Sequence, residues 1–421
     1  MKILVVGSGG REHAIVWKLA QSPKADKIYC APGNAGIASI AECVPIKATD
    51  VVKMADFAEE KQIDLTVIGM DDPLMLGIVD EFEKRGLRVF GPRANAALIE
   101  GSKVFSKNLM KKYQIPTAAY EEFTDPEAAR KYIRENKKYP LVLKADGLAL
   151  GKGVLICGSE AEALAGVDEI MVDQKFGSAG NQMVIEEFLT GQEVSVLSFC
   201  DGKTVKTMVS AQDHKRAFDN DQGLNTGGMG TFSPSQYYTK EYEEKAIETI
   251  FQKTVDAMNA EGRTFKGVLY YGLMLTEDGP KVLEYNARFG DPETQVILPR
   301  LKTDLVDIFE ACIDGCLDQL DIQWEDNAAV CVVLASGGYP VSYQKGYPIQ
   351  GLNAFDGRDD MMIFHAGTAF NEKGEIVTSG GRVLGIVALG DNLKDAIDKA
   401  YAHVDEVTFK DAFYRHDIGR K

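Results

Sequence analysis

The stretch 144–156, KADGLALGKGVLI, sets three glycines, two lysines and one aspartate around the start of a β-like apolar run. Glycine beside lysine suggests a loop that wraps phosphate. The spacing is not that of the common triphosphate loop, G-x-x-x-x-G-K-[ST]. Lys152 follows Gly147 by five places, and Gly153 stands where a serine or threonine would hold magnesium. A nucleotide bound here must take its metal ligands from elsewhere in the chain.

A second stretch offers them. In LEYNARFGDPE, 283–293, Glu284 and Asn286 are two residues apart and face the same way on a strand. A carboxylate and an amide oxygen are hard donors, suited to a magnesium that also binds phosphate oxygens. Arg288 continues the alternation and adds a cation. In VIEEFLTGQE, 184–193, Glu186 and Glu187 precede a short turn and Glu193 follows it. Backbone leaving a strand reads an adenine edge, and a carboxylate a few residues on takes ribose hydroxyls. The glycine cluster Gly7–Gly10 lies between strand and helix but puts Glu12 at the third position of G-x-G-x-x-G. The next strand, IYCAPGN, ends without the acid that holds a nicotinamide ribose. A glycine turn with free N–H groups at a helix start still suits a phosphomonoester.

Around these motifs the chain changes texture twice. KILVVG, DLTVIG and RVFGP alternate with helical patterns up to Gly101, which predicts a parallel sheet covered on both faces. From Ser102, SKVFSKNLMKKYQIP reads as an amphipathic helix stopped by Pro116. NQMVIEEFLTGQEVSVLSFCDG reads as two antiparallel strands joined near Gly191. Residues 210–234 are polar, glycine-rich and without periodicity, as functional or disordered segments are. A helix then precedes a hairpin that turns at Asp278–Gly279. From about Trp324 a new set of short strands begins, closed by the helix NLKDAIDKAYAHVDEV. The expected domains are 1–101, 102–323 with a lid at about 120–190, and 324–421.

The net charge of −16 argues against non-specific binding of nucleic acid or an anionic membrane. The start, MKILVVGSGGREHAI, does not read as a signal peptide, and AAVCVVLA is too short to span a bilayer. Seven scattered cysteines point to a reducing, cytoplasmic compartment. Cys312 and Cys316, with no His or further Cys nearby, read as core residues sharing a helix face.

GSGGREHA, PGNAG, KADGLALGKGV, QDHKRAFDNDQGLNTGGMG, EYNARFGDPETQ and SGGRVLGIVALG, in this order, resemble the ATP-grasp superfamily. Within it they are similar to the phosphoribosylamine–glycine ligase family over the whole chain. The resemblance implies a multidomain α/β and α+β body: an N-terminal Rossmann-like parallel domain, a central ATP-grasp fold with a mobile lid, and a small mixed C-terminal domain. It implies that Lys103 and Lys144 meet ATP phosphates under a loop running through Gly147, Gly151, Lys152 and Gly153. Glu186, Glu187, Phe188 and Leu189 would form the adenine hinge, with Glu193 on the ribose. Glu284 and Asn286 would hold Mg2+ or Mn2+, with Arg288 at the transferring phosphoryl group.

By the same resemblance Asp213 meets the ammonium of glycine, beside the backbone of Gly227 and Gly228. Gly9, Gly10, Asn34, Asp71, Asp291 and Arg382 would hold 5-phosphoribosylamine. The expected reaction runs through glycyl phosphate in a cytoplasmic monomer. One departure is GMDDPL, 69–74, where the family reads G-P-E-x-P-L, so Asp71 replaces a glutamate. Rival readings are a sibling ATP-grasp carboxylase or formyl transferase, a non-catalytic nucleotide sensor, and a dehydrogenase.

Overall fold

The computed structural model of the protein describes residues 1–148 and 153–420. Five parallel strands open the chain: β1 (Lys2–Gly7), β2 (Lys27–Pro32), β3 (Glu42–Cys43), β4 (Leu65–Ile68) and β5 (Val89–Phe90). Their order is β3-β2-β1-β4-β5. Alternation within β1 explains the layering. Leu4 and Val6 join the core that contains Met54 and Phe82, from the helices Val51–Lys61 and Ile78–Lys84. Ile3 and Val5 join the opposite core, with Ala14 and Ile15 of the helix Gly10–Leu19. Both faces are covered, as an all-parallel sheet requires. β2 and β4 flank β1, so the strand order reverses at its end, where such sheets open a crevice.

A second, antiparallel sheet follows: β6 (Tyr120–Phe123), β7 (Leu141–Ala145), β8 (Val154–Cys157) and β9 (Met183–Glu187), in the order β6-β9-β7-β8. Leu141, Leu143, Met183 and Ile185 pack on Ala129 and Ile133 of the helix Pro126–Glu135. Lys144 and Glu186 alternate with them and project from the other face.

β10 (Gln192–Asp201) and β11 (Val205–Thr207) begin a third sheet. The segment 210–234 supplies β12 (Gln212–Asp213), β13 (Arg216–Phe218), β14 (Gln222–Asn225) and β15 (Gly230–Ser233). The hairpin β16 (Lys266–Thr276) and β17 (Gly279–Asn286) completes the third sheet as β11-β10-β16-β17. The rest of the chain adds β18 (Ala328–Ala335), β19 (Met361–His365), β20 (Thr368–Phe370), β21 (Ile376–Thr378) and β22 (Arg382–Gly390). Among the described residues no helix is long and apolar enough to cross a membrane.

Three expectations change. β9 and β10 are not a hairpin, since they belong to different sheets. Gly191 between them has φ +152°, and a Cβ there would lie 2.1 Å from the Leu275 carbonyl oxygen, so glycine carries the crossing. Residues 210–234 are not structureless: β13 pairs with β14, while β12 and β15 extend the sheet β12-β15-β18-β22-β19. Cys312 and Cys316 do not share a helix face, because the helix Leu305–Asp314 ends at Gly315 with φ +72°.

Two buried histidines join the first and last parts of the chain. The His365 N–H donates to His13 Nδ1 at 2.8 Å, and the rings lie 5.6 Å apart. Burial, then His365, pushes His13 down to about 3, and burial pushes His365 down to about 4. In the unfolded chain both titrate near 6.5. Their stabilising contribution is therefore complete above pH 6.5 and is lost as pH falls towards 4 and then 3. Thermal midpoints should drop across that range, and His13→Gln should remove a share of the loss on the order of 5 kcal/mol. Parallel pH profiles for the two proteins would refute this.

Candidate active site

The second and third sheets face each other across a line of charges. The helix Lys103–Lys112 is capped by Ser102, whose Oγ accepts from Phe105 N at 3.0 Å. Asp146 ties the loop after β7 to that cap: it accepts from Ser102 Oγ at 3.1 Å and from Val104 N at 3.1 Å. Lys103 Nζ then donates to Gly147 O at 2.8 Å. Gly153 O accepts from Ala145 N at 2.8 Å. Gly151 and Lys152 lie outside the described residues. Lys144 Nζ donates to Leu283 O at 3.0 Å. That carbonyl is available because the β16–β17 register shifts there, with Gly272 opposite Glu284 and Leu273 opposite Val282.

Glu284 and Asn286 stand on one face of β17, as the spacing predicts. Lys215 lies 3.4 Å from Glu284 and 3.4 Å from Glu193, so it bridges the expected metal and ribose carboxylates. Lys215, more than Lys144 and Lys103, holds Glu284 ionised, down to about 2. Asn286 satisfies its neighbours with its amide nitrogen towards Glu100 Oε1 at 3.0 Å, which turns its oxygen to the other side. One carboxylate and one amide oxygen fit a magnesium that brings most of its ligands as phosphate oxygens and water. Among the described residues no group of three His, Cys, Asp or Glu forms a cage of its own.

In the expected adenine hinge, Glu187 Oε1 accepts from Ala119 N at 3.0 Å, Phe188 is exposed and Leu189 is buried. The Glu186 side chain turns inward, 2% exposed. Any reading of a base by Glu186 therefore falls to its backbone.

The second half of the crevice lies at the end of β1. Glu12 fills the space between glycines: a Cβ on Gly7 would lie 2.4 Å from its Cγ, and one on Gly69 would lie 2.5 Å from its Oε1. Its Oε2 accepts from Gly9 N at 2.6 Å, reaching back to the N-cap as the acid of a capping box does. The glycine turn was expected to offer free N–H groups, but that of Gly9 is already taken by this internal carboxylate. Asn34 is similarly committed. Its Nδ2 donates to Ser8 O and His365 O, each at 2.8 Å, and its Oδ1 accepts from Gly36 and Ile37 N, each at 3.0 Å. Asn34 shapes the glycine turn, and its side chain has no donor to spare.

The other expected substrate residues form one connected set. A Cβ on Gly9 would lie 3.3 Å from Asp291 Oδ2, and one on Gly10 would lie 2.6 Å from Gln295 Nε2. Gln295 donates to Asp291 Oδ1 at 2.9 Å. Arg382 lies 3.4 Å from Asp291 and donates to Gly227 O at 2.7 Å. Arg288 pairs with Glu100 at 2.9 Å and Asp71 at 3.8 Å. Asp71, shorter than the family's glutamate, thus still belongs to this charge cluster. Gly228, φ +115°, leaves room for Asp213: a Cβ there would lie 2.7 Å from Asp213 Oδ1. That oxygen is buried and has no hydrogen-bond partner. Burial, then Glu293, lifts the Asp213 carboxyl well above the usual range, against Lys215 and Arg382.

Sequence reasoning missed Arg11, Glu100, Lys107, Lys215 and Glu293. Arg11 donates to Phe289 O at 3.2 Å, and Glu293 accepts from Ser195 Oγ at 3.0 Å. Lys107 carried a legible signal, since it follows Lys103 by four residues on a helix. The others depend on contacts between distant segments, which leave no spacing to read.

Lys144 on one antiparallel sheet and Lys103 at the start of the neighbouring helix, set beside an acid–amide pair on a second antiparallel sheet, are the arrangement of an ATP-grasp protein. Family models extend this over most of the chain. Residues 1–100 match the N domain of phosphoribosylglycinamide synthetase, 101–294 its ATP-grasp (A) domain and 329–421 its C domain. The chain belongs to the phosphoribosylglycinamide synthetase family. It is 51% identical over 418 residues to a phosphoribosylamine–glycine ligase of Caldanaerobacter subterraneus subsp. tengcongensis, covering 99% of each chain. The identity to the Escherichia coli O6:H1 ligase is 47% over 422 residues, covering 100% of this chain and 98% of that one. A crystal structure of the Thermotoga maritima ligase superposes with TM-score 0.86 at 36% identity, covering 99% of this chain and 100% of the other. A Campylobacter jejuni biotin carboxylase in complex with β-γ-ATP shares the fold, with TM-score 0.76 at 14% identity over 98% of this chain and 92% of that one.

Proposed function

We propose that this chain joins glycine to 5-phosphoribosylamine, cleaving ATP to ADP and phosphate and giving glycinamide ribonucleotide. The observation that carries the reading is the buried, unpartnered Asp213 Oδ1 beside Gly228. A lone carboxylate oxygen in that position suits an ammonium ion, and the backbone of Gly227 and Gly228 suits a ligand with no side chain. The names of the relatives agree with this substrate.

Lys103 and Lys144 bind the ATP phosphates, and Glu186 to Leu189 with Glu193 bind the nucleoside. Glu284 and Asn286 would hold Mg2+ or Mn2+, which supplies positive charge against the phosphate oxygens. The glycine carboxylate attacks the terminal phosphorus, ADP leaves, and glycyl phosphate results. Arg288 offsets charge building on the transferring phosphoryl group. The 5-phosphoribosylamine nitrogen, held near Gly9, Gly10, Asp71, Asp291 and Arg382, then attacks the carbonyl carbon. Phosphate departs and the amide forms, with loss of the amine proton. No covalent protein nucleophile is required. Water must be kept from the acyl phosphate, a task assigned to the loop Gly147–Gly153. A cytoplasmic monomer and the division into 1–101, 102–323 and 324–421 belong to the same proposal.

ADP release measured with 5-phosphoribosylamine and each of glycine, formate and bicarbonate tests the reading. Glycine alone should support turnover. Turnover with formate or bicarbonate would favour the sibling reactions, and ATP binding without turnover would favour a sensor.

A further inference from the structure

Behind Lys144 lies a cation that cannot reach a ligand. Lys107 is 2% exposed and its ammonium lies 3.2 Å from Glu186 Oε2. The other oxygen of Glu186 lies 3.0 Å from Lys144 Nζ. Three charged groups from three elements thus form one buried chain: Lys107 on the helix Lys103–Lys112, Glu186 on β9 and Lys144 on β7. Lys107 also donates to Thr117 Oγ1 at 2.8 Å, and Thr117 donates to Val282 O at 2.6 Å. Lys144 itself donates to Leu283 O. Both ends of the chain therefore rest on β17 just before Glu284.

We propose that Lys107 is a positioning residue for the nucleotide phosphates: by holding Glu186 it leaves the charge of Lys144 uncancelled. The inference rests on the nucleotide reading given above. Lys144 needs an anchor, and Glu186 provides one on the neighbouring strand. A carboxylate paired with Lys144 alone would bring the local charge to zero and weaken the field at the phosphates. With Lys107 on the second oxygen, two cations share one anion and a net positive charge remains on the crevice side. Burial lowers Lys107 to about 8, against Glu186, which still leaves it protonated at neutral pH. Low permittivity around buried groups makes the sum of charges matter more than it would in water. Lys103, one helical turn earlier on the same helix, donates to Gly147 O directly, so the helix gives the site one half-buried and one hidden cation.

The test compares ligands that differ only in phosphate. Binding of ATP with magnesium, and of adenosine, is measured by calorimetry on the full chain, with folding checked by thermal midpoint. Lys107→Met should weaken ATP by about tenfold or more and leave adenosine within about twofold. Lys107→Gln, which keeps hydrogen bonding without charge, gives the same result and serves if the Met variant does not fold. Lys107→Arg should restore ATP binding to within about threefold of the parent. Equal losses for ATP and adenosine, an unchanged ratio in the neutral variants, or an Arg variant that falls with them overturns the inference. A parent protein that binds no ATP overturns the nucleotide reading instead.

Discussion

Replacing Arg288 with alanine should lower kcat by ~10²–10³ while the Kd for ATP changes by less than about fivefold. Arg288 sits at the end of the expected metal strand, held between Glu100 at 2.9 Å and Asp71 at 3.8 Å. Its Nε is buried and has no partner. A fixed guanidinium with a free donor stabilises charge where it builds up, and on the phosphoryl group that charge is greatest in the transition state. In the proposed reading ground-state ATP has Lys103 and Lys144 in addition, so binding would have other support. The same substitution removes the counter-charge of two carboxylates. Burial already lifts Glu100 above its usual range against the pull of Arg288, and stability should fall by about 3–5 kcal/mol. Turnover must therefore be measured on protein shown to be folded. Arg288→Lys keeps a charge without the planar fork and should recover stability better than rate. Proportional losses in kcat and ATP affinity would sink the transition-state role.

These residues differ in how visible they are before folding. Glu284 and Asn286 were legible because a strand's period of two is local and β17 keeps it across those two positions, whereas Arg288 lies two residues past the end of the strand. Lys2–Gly7 was legible for the same reason, as a β-branched run that must be buried on both faces. The relation of β9 to β10 was not. A glycine turn between two apolar runs looks the same whether the strands pair or part, and only their distant partners decide. β12 to β15 are two to four residues long, and β15 exists because β18, about a hundred residues later, pairs with it. Glu12 was visible as a failed fingerprint, while its use as an internal cap for Gly9 required the fold. Lys215, set between Glu193 and Glu284, is the clearest loss, because its neighbours lie some twenty and seventy residues away. Pairing across elements has no signature in one sequence.

Asp213→Asn should separate binding from stability in opposite directions. The carboxyl is lifted well above its ordinary range first by burial and then by Glu293, with Lys215 and Arg382 opposing. A carboxyl whose folded value is raised loses stability as pH rises past its unfolded value near 4, because the folded chain resists ionisation. The amide carries no such charge, so the variant should be as stable as the parent at pH 7, or more so. Glycine binding should move the other way. A charge-assisted contact to an ammonium in a buried site is worth about 3 kcal/mol, and the KM for glycine should rise by about a hundredfold. The parent should also show a proton competing with glycine for the same oxygen. Its glycine KM should increase as pH falls towards the raised value, whereas the Asn variant should stay flat over that range. ATP affinity should be untouched in both, since the unpartnered Asp213 oxygen lies against Gly228. A variant with parental glycine KM, or one that loses ATP and glycine alike, would remove Asp213 from the ammonium site and leave its unpartnered oxygen without a ligand.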